Sequence, residues 1–307
     1  MSGDILFEVK RIGKIISQKD LPGEDGDNIN GPCCIEVPEW CENKLGKYYL
    51  YFSHHKGQYI RMAYSDFVEH SWKIHHGGVI DLSWFKDAHH HIASPDILID
   101  NKKKEILLYF HAPSREKQQQ WTYAAISKDG VNFIKETDKP LAPFYMRVFQ
   151  WREHIYGMTK GGNLWRSKSG MEPFEPGPNP FDIRLSDEIW HNDDGSIRHV
   201  ALSRTNDTMY IFYTCIGDSP ERIYCSIMNI SDPNWFNWKA QNKSEVMRPI
   251  EYYEGANLVL KKSSAGAAYK PENALRDPDL ITIGNTNYLF YSVQGEQGIA
   301  VSRLSFL

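Results

Sequence analysis

The sequence predicts an all-β fold, a five-bladed β-propeller whose ring is closed by an N-terminal strand completing the last blade. Three observations predict it. One strand–loop–strand string recurs five times along the 307 residues, at a spacing of roughly 50–60 residues, as propeller blades do. Each copy follows a short apolar run of the kind expected of a strand covered on both faces. Finally, aromatics make up 13% of the chain, with 22 Gly and 16 Pro, which favours many short strands and turns over helices.

The repeated string is an aromatic-rich strand, a short polar loop, and a second strand ending on a small residue and Ser. The first copy spans residues 48–53 and 59–65, the second 106–112 and 121–127, with a Lys128-Asp129-Gly130 turn after it. The third is shorter, at 154–159 and 163–167; the fourth spans 209–214 and 222–226; the fifth spans 287–292 and 298–302. The runs before them, read as innermost strands, are 32–37, 95–99, 146–151, 198–203 and 278–283. Outer strands are fainter, with pieces expected at 72–74 and 238–239. The fifth copy runs out at Leu307 after its third strand, while residues 5–16 alternate apolar and polar without another partner. That N-terminal strand is therefore expected to close the ring and remove an exposed edge. The stretches 170–180 and 261–271 read as excursions between blades, so residues 1–307 are expected to form one domain.

A formal net charge of -4 gives no global attraction to nucleic acid or an anionic membrane. No apolar run approaches the ~18 residues of a membrane span, and the first ten residues lack an export-type pattern. Five cysteines, two of them adjacent at Cys33-Cys34, suit reduced thiols and predict a cytoplasmic protein. Their spacing specifies no zinc site, and neither a metal nor a cofactor is expected. Nothing in the sequence specifies an oligomeric state.

Because successive strands of a blade run antiparallel, each inner-strand start shares a face with the loop joining the second and third strands. This rule pools Asn28, Asn30, His89, His90, His91, Asp96, Tyr145, Arg147, Arg198, His199, Arg276, Asp277 and Asp279 with loop residues. The loops add His54, His55, Lys56, His111, Arg115, Lys160, Asp218, Glu221, Arg222, Gln294 and Glu296. Polar groups on loops of a rigid scaffold are where binding chemistry usually sits.

Blade starts such as Ser94-Pro95-Asp96-Ile97 and Arg276-Asp277-Pro278-Asp279-Leu280, followed by Tyr-Leu-Tyr-Phe-Ser strands, resemble the five-bladed propeller glycosidases. The closest pattern is that of glycoside hydrolase family 43 and its arabinanase, invertase and levansucrase cousins. More narrowly, the chain resembles bacterial proteins of unassigned activity that carry strings like Asn30-Gly31-Pro32 and Gly217-Asp218-Ser219-Pro220-Glu221-Arg222-Ile223. The resemblance implies a small carbohydrate ligand in the central pocket. It also implies a catalytic Asp at the first blade mouth, a second Asp at the third and a Glu opening the fourth. This chain has Asn30-Gly31-Pro32, residues 145–149 and Arg198-His199 at those places. Asp96 matches the family's second-blade Pro-Asp, which lies outside that triad.

Glycoside cleavage needs a protonated acid at the leaving oxygen and a carboxylate as base or nucleophile. The two lie about 5 Å apart in retaining and about 6.5–9.5 Å apart in inverting enzymes. The catalytic candidates are Asp96, Glu221, Glu254, Asp277 and His199. Asp277, beside Arg276, reads as base or anchor, Glu221 or Glu254 as acid, and His199 as a proton relay. Asp96 and Asp277 read equally as turn formers, and Glu221-Arg222 as a surface pair. Asn30, His54, His91, Arg147, Arg198, Arg222 and Arg276 are the substrate-binding candidates. Arginines at inward-facing strand starts must be paired or ligand-facing, which suggests an anionic sugar or inorganic phosphate. The leading expectation is a glycoside hydrolase; the alternatives are a glycoside phosphorylase and a non-catalytic sugar-binding propeller.

Overall fold

The computed structural model describes residues 7–181 and 195–307. Among the described residues every regular element is a strand or a single 3-10 turn. β1 (Phe7–Ser17) comes first, followed by blade 1: β2 (Asn30–Glu36), β3 (Tyr48–Ser53), β4 (Tyr59–Ser65) and β5 (Lys73–Asp81). Blade 2 holds β6 (Ala93–Asp100), β7 (Glu105–Pro113) and β8 (Gln120–Ser127), with β9 (Phe133–Ile134) and β10 (Ala142–Pro143) both against β8. Blade 3 is β11 (Arg147–Trp151), β12 (His154–Met158), β13 (Leu164–Ser167) and β14 (Glu175–Pro176). Blade 4 is β15 (Ile197–Thr205), β16 (Thr208–Cys215), β17 (Ile223–Asn229) and β18 (Ala240–Met247). Blade 5 is β19 (Arg276–Ile283), β20 (Thr286–Ser292) and β21 (Gly298–Phe306), completed on its outside by β1. The antiparallel β1–β21 ladder runs from Phe7↔Phe306 to Ser17↔Gly298, so the expected closure is present; Ile5 lies outside the described residues.

The inner strands β2, β6, β11, β15 and β19 contact one another in chain order, and β19 meets β2 to complete the ring. Among the described residues the core is divided accordingly into five buried clusters, one per junction. Tyr51 and Met62 of blade 1 pack with Leu108 and Phe110 of blade 2, and Tyr109 packs with Met146 and Ile155 of blade 3. Met158 packs with Val200 and Ile211, Phe212 with Leu289 and Tyr291, and Phe290 and Val301 with Leu50 and Phe52. The aromatic ends of the repeated string are thus the wedges between sheets, where large flat side chains bury the most area. All five cysteines are free and buried.

Three expectations change. The stretch 170–180 is no mere excursion, because β14 within it forms the outer edge of blade 3. Trp238 precedes the outer strand of blade 4, which begins at Ala240; its ring is buried between blades 3 and 4, with Nε1–H donated to Asp232 O at 2.9 Å. Four of the five inner strands also begin earlier than their apolar runs, the exception being β11, which starts at Arg147. In four blades the ladder makes one pair, skips two residues, and resumes: Asn30↔Ser53 then Cys33↔Tyr51, Ala93↔His111 then Asp96↔Tyr109, Ile197↔Cys215 then Val200↔Tyr213, Arg276↔Ser292 then Asp279↔Phe290. The skipped corners are Gly31-Pro32, Ser94-Pro95, Arg198-His199 and Asp277-Pro278. A bulge of this kind re-aims side chains out of the sheet, here at the mouth of the axis.

Candidate active site

Two tiers of polar side chains fill the axis. Along the inner strands just past the corners, the Arg147 guanidinium donates to the carbonyls of Pro32 (3.3 Å) and Val200 (3.1 Å) and to Pro95 O, and reaches Asp96 Oδ1 at 3.3 Å. Asp96 Oδ2 accepts Val148 N–H at 2.6 Å, and Asp279 Oδ2 accepts Cys34 N–H at 2.7 Å. Burial raises both carboxyls, pushing Asp279 up to about 7, although Arg147 works against the rise. Cys33 Sγ, Asp96 and Asp279 present ligand atoms within 4.8 Å of one another, the one His/Cys/Asp/Glu grouping of metal-binding size among the described residues. Arg147 already supplies positive charge there.

The second tier lies at the corners and adjoining loops. Arg276, 1% exposed, meets Glu221 Oε2 (2.9 Å), Glu272 Oε2 (2.9 Å) and Glu296 Oε1 (3.1 Å). Arg198 Nε lies 2.9 Å from Glu221 Oε1, while its other nitrogens donate to the carbonyls of Ser264 and Gly266. Glu296 Oε2 receives Asn28 Nδ2 (2.7 Å), Asn30 Nδ2 (3.4 Å) and His55 Nδ1 (2.7 Å). Burial alone would lower His55, but the Glu296 charge overrides it and holds the imidazole above its ordinary value. His199 Nε2 lies 2.9 Å from Asp277 Oδ1. Asp277 Oδ2 accepts Ser292 Oγ–H at 2.8 Å and Gly31 N–H at 3.2 Å. Against its burial, the His199 charge and these hydrogen bonds keep the Asp277 carboxyl well below the usual carboxylate range. His199 itself is lowered by burial, partly offset by Asp277.

Tyr145 stacks edge-on between His111 (4.9 Å) and His199 (4.6 Å). Both His111 nitrogens and His199 Nδ1 are buried without a hydrogen-bond partner among the described residues. His91, whose Nε2 lies 3.3 Å from Gln120 Oε1, is pushed down to about 4 by burial and the neighbouring His55 charge. A cavity of about 500 Å³ opens here, walled by Gln120, Phe144, Tyr145, Lys160, Ala265 and Gly266.

The mouth tier therefore gathers Asn30, His91, Arg198, His199, Glu221, Arg276 and Asp277 from the expected set, while Asp96 and Arg147 sit deeper. Glu254 and Arg222 are elsewhere. Glu254 takes Arg11 Nε (2.8 Å), Tyr291 OH (2.9 Å) and the N–H groups of Ile250 and Glu251, a structural clamp on β1. Arg222 pairs with Glu245 on the outer strand of blade 4, at 3.2 Å. His54 faces a neighbouring groove rather than the funnel. The expected anion-binding role of the arginines also loses its basis. Arg147, Arg198 and Arg276 are each answered by internal carboxylates and carbonyls, as buried guanidinium groups must be.

Residue choice among candidates missed the partners. The shared-face rule pools Tyr145 from the inner-strand starts and His55, His111 and Glu296 from the loops but does not rank them, and Glu272 has no sequence signal. The Asp implied for the first blade mouth is absent, yet the Asp277 carboxylate arrives there from the fifth blade, on Gly31 N–H.

No family model matches the chain. The uncharacterized protein R118 of Acanthamoeba polyphaga mimivirus is 37% identical in a 298-residue alignment covering 90% of this chain and 83% of that protein. Among solved structures, a thermostable family-43 glycoside hydrolase superposes with a TM-score of 0.59 at 14% identity, covering 91% of this chain and 89% of its own. An α-L-arabinofuranosidase from Lactobacillus brevis gives 0.57 at 12%, covering 90% of each chain. A putative glycoside hydrolase from Bacteroides ovatus gives 0.66 at 12%, covering 98% and 96%. The fold is thus that of the five-bladed propeller glycosidases.

Proposed function

The chain belongs to the same family as the mimivirus protein R118, and on that premise we propose that its axial funnel cleaves a glycosidic bond in a small uncharged carbohydrate. The acid is His55 and the base is His199, each oriented by a carboxylate. One observation carries this reading. Two His–carboxylate pairs, His55–Glu296 and His199–Asp277, converge at the mouth with opposite pKa shifts. Glu296 raises the His55 pKa and so favours its protonated form, in which Nδ1–H points at Glu296 and Nε2–H is left to give its proton to the leaving oxygen. His199 is neutral, with Nε2–H on Asp277, so its Nδ1 lone pair can take a proton from water attacking the anomeric carbon. One C–O bond breaks, one forms, and solvent restores both imidazoles. That the solved structures sharing this fold are named for glycoside hydrolysis supports a glycoside as substrate.

A binding-only propeller is favoured by a different observation: the carboxyls with raised pKa, Asp96 and Asp279, surround Arg147 rather than the mouth. A panel of nitrophenyl pentosides and hexosides, with and without inorganic phosphate, separates the readings. The expected result is phosphate-independent release that falls about 10²–10⁴-fold in His199→Gln. Sugar binding without any release would leave a binding propeller, and release only with phosphate would make the protein a phosphorylase.

A further inference from the structure

In four of the five blades the inner-strand corner is a residue in the left-handed region: Gly31 (φ 61°), Ser94 (φ 51°), Tyr145 (φ 55°) and Asp277 (φ 47°). Each stands two residues before Cys33, Asp96, Arg147 or Asp279, the side chains of the deeper tier. Gly tolerates this backbone and Asp can bond locally, whereas a bulky aromatic there is an outlier. Backbone strain of this kind persists only where the surroundings hold it, and it gathers at functional sites.

The surroundings of Tyr145 do hold it. The next residue, Met146, sits against Gly157, where an added Cβ would meet Met146 Sδ at 2.5 Å. The Tyr145 ring itself packs on Phe144, His111 and His199, with centroids at 4.6, 4.9 and 4.6 Å. Tyr145 walls the funnel cavity, while His199 and His111 lie behind it at 4% and 1% exposure. His199 is tied at Nε2 to Asp277, 2.9 Å away, and its Nδ1 is buried without a hydrogen-bond partner among the described residues. One hydrogen bond fixes a point on the imidazole but not its plane; the edge-on contact with Tyr145 fixes the plane. A dry, unpartnered nitrogen is costly, and in a native fold it calls for a use.

We propose that Tyr145 is a positioning residue for the base: its ring fixes the plane of the His199 imidazole and keeps bulk water off it. The inference rests on the role of His199 proposed above and names the residue that sets it. The titratable and charged groups around His199 are Asp277, Arg198, Glu221, His111 and Tyr145. Burial is the largest influence and lowers the imidazole, so removing the covering ring should let it rise toward its ordinary value.

The test is diethylpyrocarbonate labelling of the full chain near neutral pH, read residue by residue by peptide mass spectrometry, with exposed His90 as the internal reference. The reagent acylates an imidazole lone pair, here that of His199 Nδ1. Tyr145→Asn suits the left-handed corner and removes the ring. His199 should then label about tenfold faster than in the wild type, because the lone pair no longer waits on local opening. Tyr145→Phe keeps the ring and should label as the wild type does. In turnover of the nitrophenyl panel, the acid limb of the pH profile should move to higher pH in Tyr145→Asn and stay in place in Tyr145→Phe. Should Tyr145→Asn not fold, Tyr145→Gly replaces it at the same corner. Equal His199 labelling in the wild type and the folded variant would overturn the positioning role while leaving the hydrolytic reading intact. Absence of release from every glycoside by the wild type would overturn the hydrolytic reading, with the labelling still deciding whether Tyr145 covers His199.

Discussion

At the residue scale the decisive feature is how each ionisable group is answered by its neighbour. The two funnel imidazoles respond in opposite directions, because Glu296 outweighs burial at His55 whereas burial outweighs Asp277 at His199. In the mechanism proposed above, the reacting form has His55 protonated and His199 neutral. Activity should therefore rise with pH through a His199 pKa below ~6.5 and fall through a His55 pKa above ~6.5. A bell-shaped kcat/KM profile checks this, and His55→Gln should remove the alkaline limb. A limb unchanged in that variant would exclude His55 as the acid. The sequence made the mouth arginines legible as groups that must be paired or ligand-facing. It did not reveal that Glu221, Glu272 and Glu296 surround Arg276, because partners 55, 4 and 20 positions away are chosen by geometry.

At the element scale the inner-strand bulge decides where chemistry can appear. Gly31 occupies its corner at φ 61°, with an added Cβ 3.2 Å from Ser53 Oγ and 3.3 Å from Ser94 Cα. Gly31→Ala should destabilise the fold by about 1–3 kcal/mol through left-handed strain and crowding. The same change should disturb the Gly31 N–H···Asp277 contact, so the Tm and any turnover of the proposed glycoside substrates should fall together; an unchanged Tm would contradict the strain. The apolar inner runs and aromatic strings were legible because pleated strands impose a period of two and turns break it. The two-residue strands β9, β10 and β14 were not, since they are too short to carry a period.

At the scale of the whole molecule, ring closure depends on β1, which the Arg11–Glu254–Tyr291 contacts lock onto blade 5. Removing residues 1–17 would expose the β21 edge and strip Ile16 from the junction of blades 5 and 1. The truncated chain should lose cooperative unfolding by circular dichroism, and a native-like transition would show that the ring holds without its closing strand. The sequence by itself determined the five-fold repeat, the aromatic wedges and the closing strand, because these follow from local periodicity and hydrophobic patterning. Only the tertiary structure decided that Glu254 braces an edge, that Arg147 fills the axis, and that His55 and His199 acquire carboxylate partners. Those outcomes depend on which side chains from five separate blades share one small, dehydrated space, where each charge must find its counter-charge.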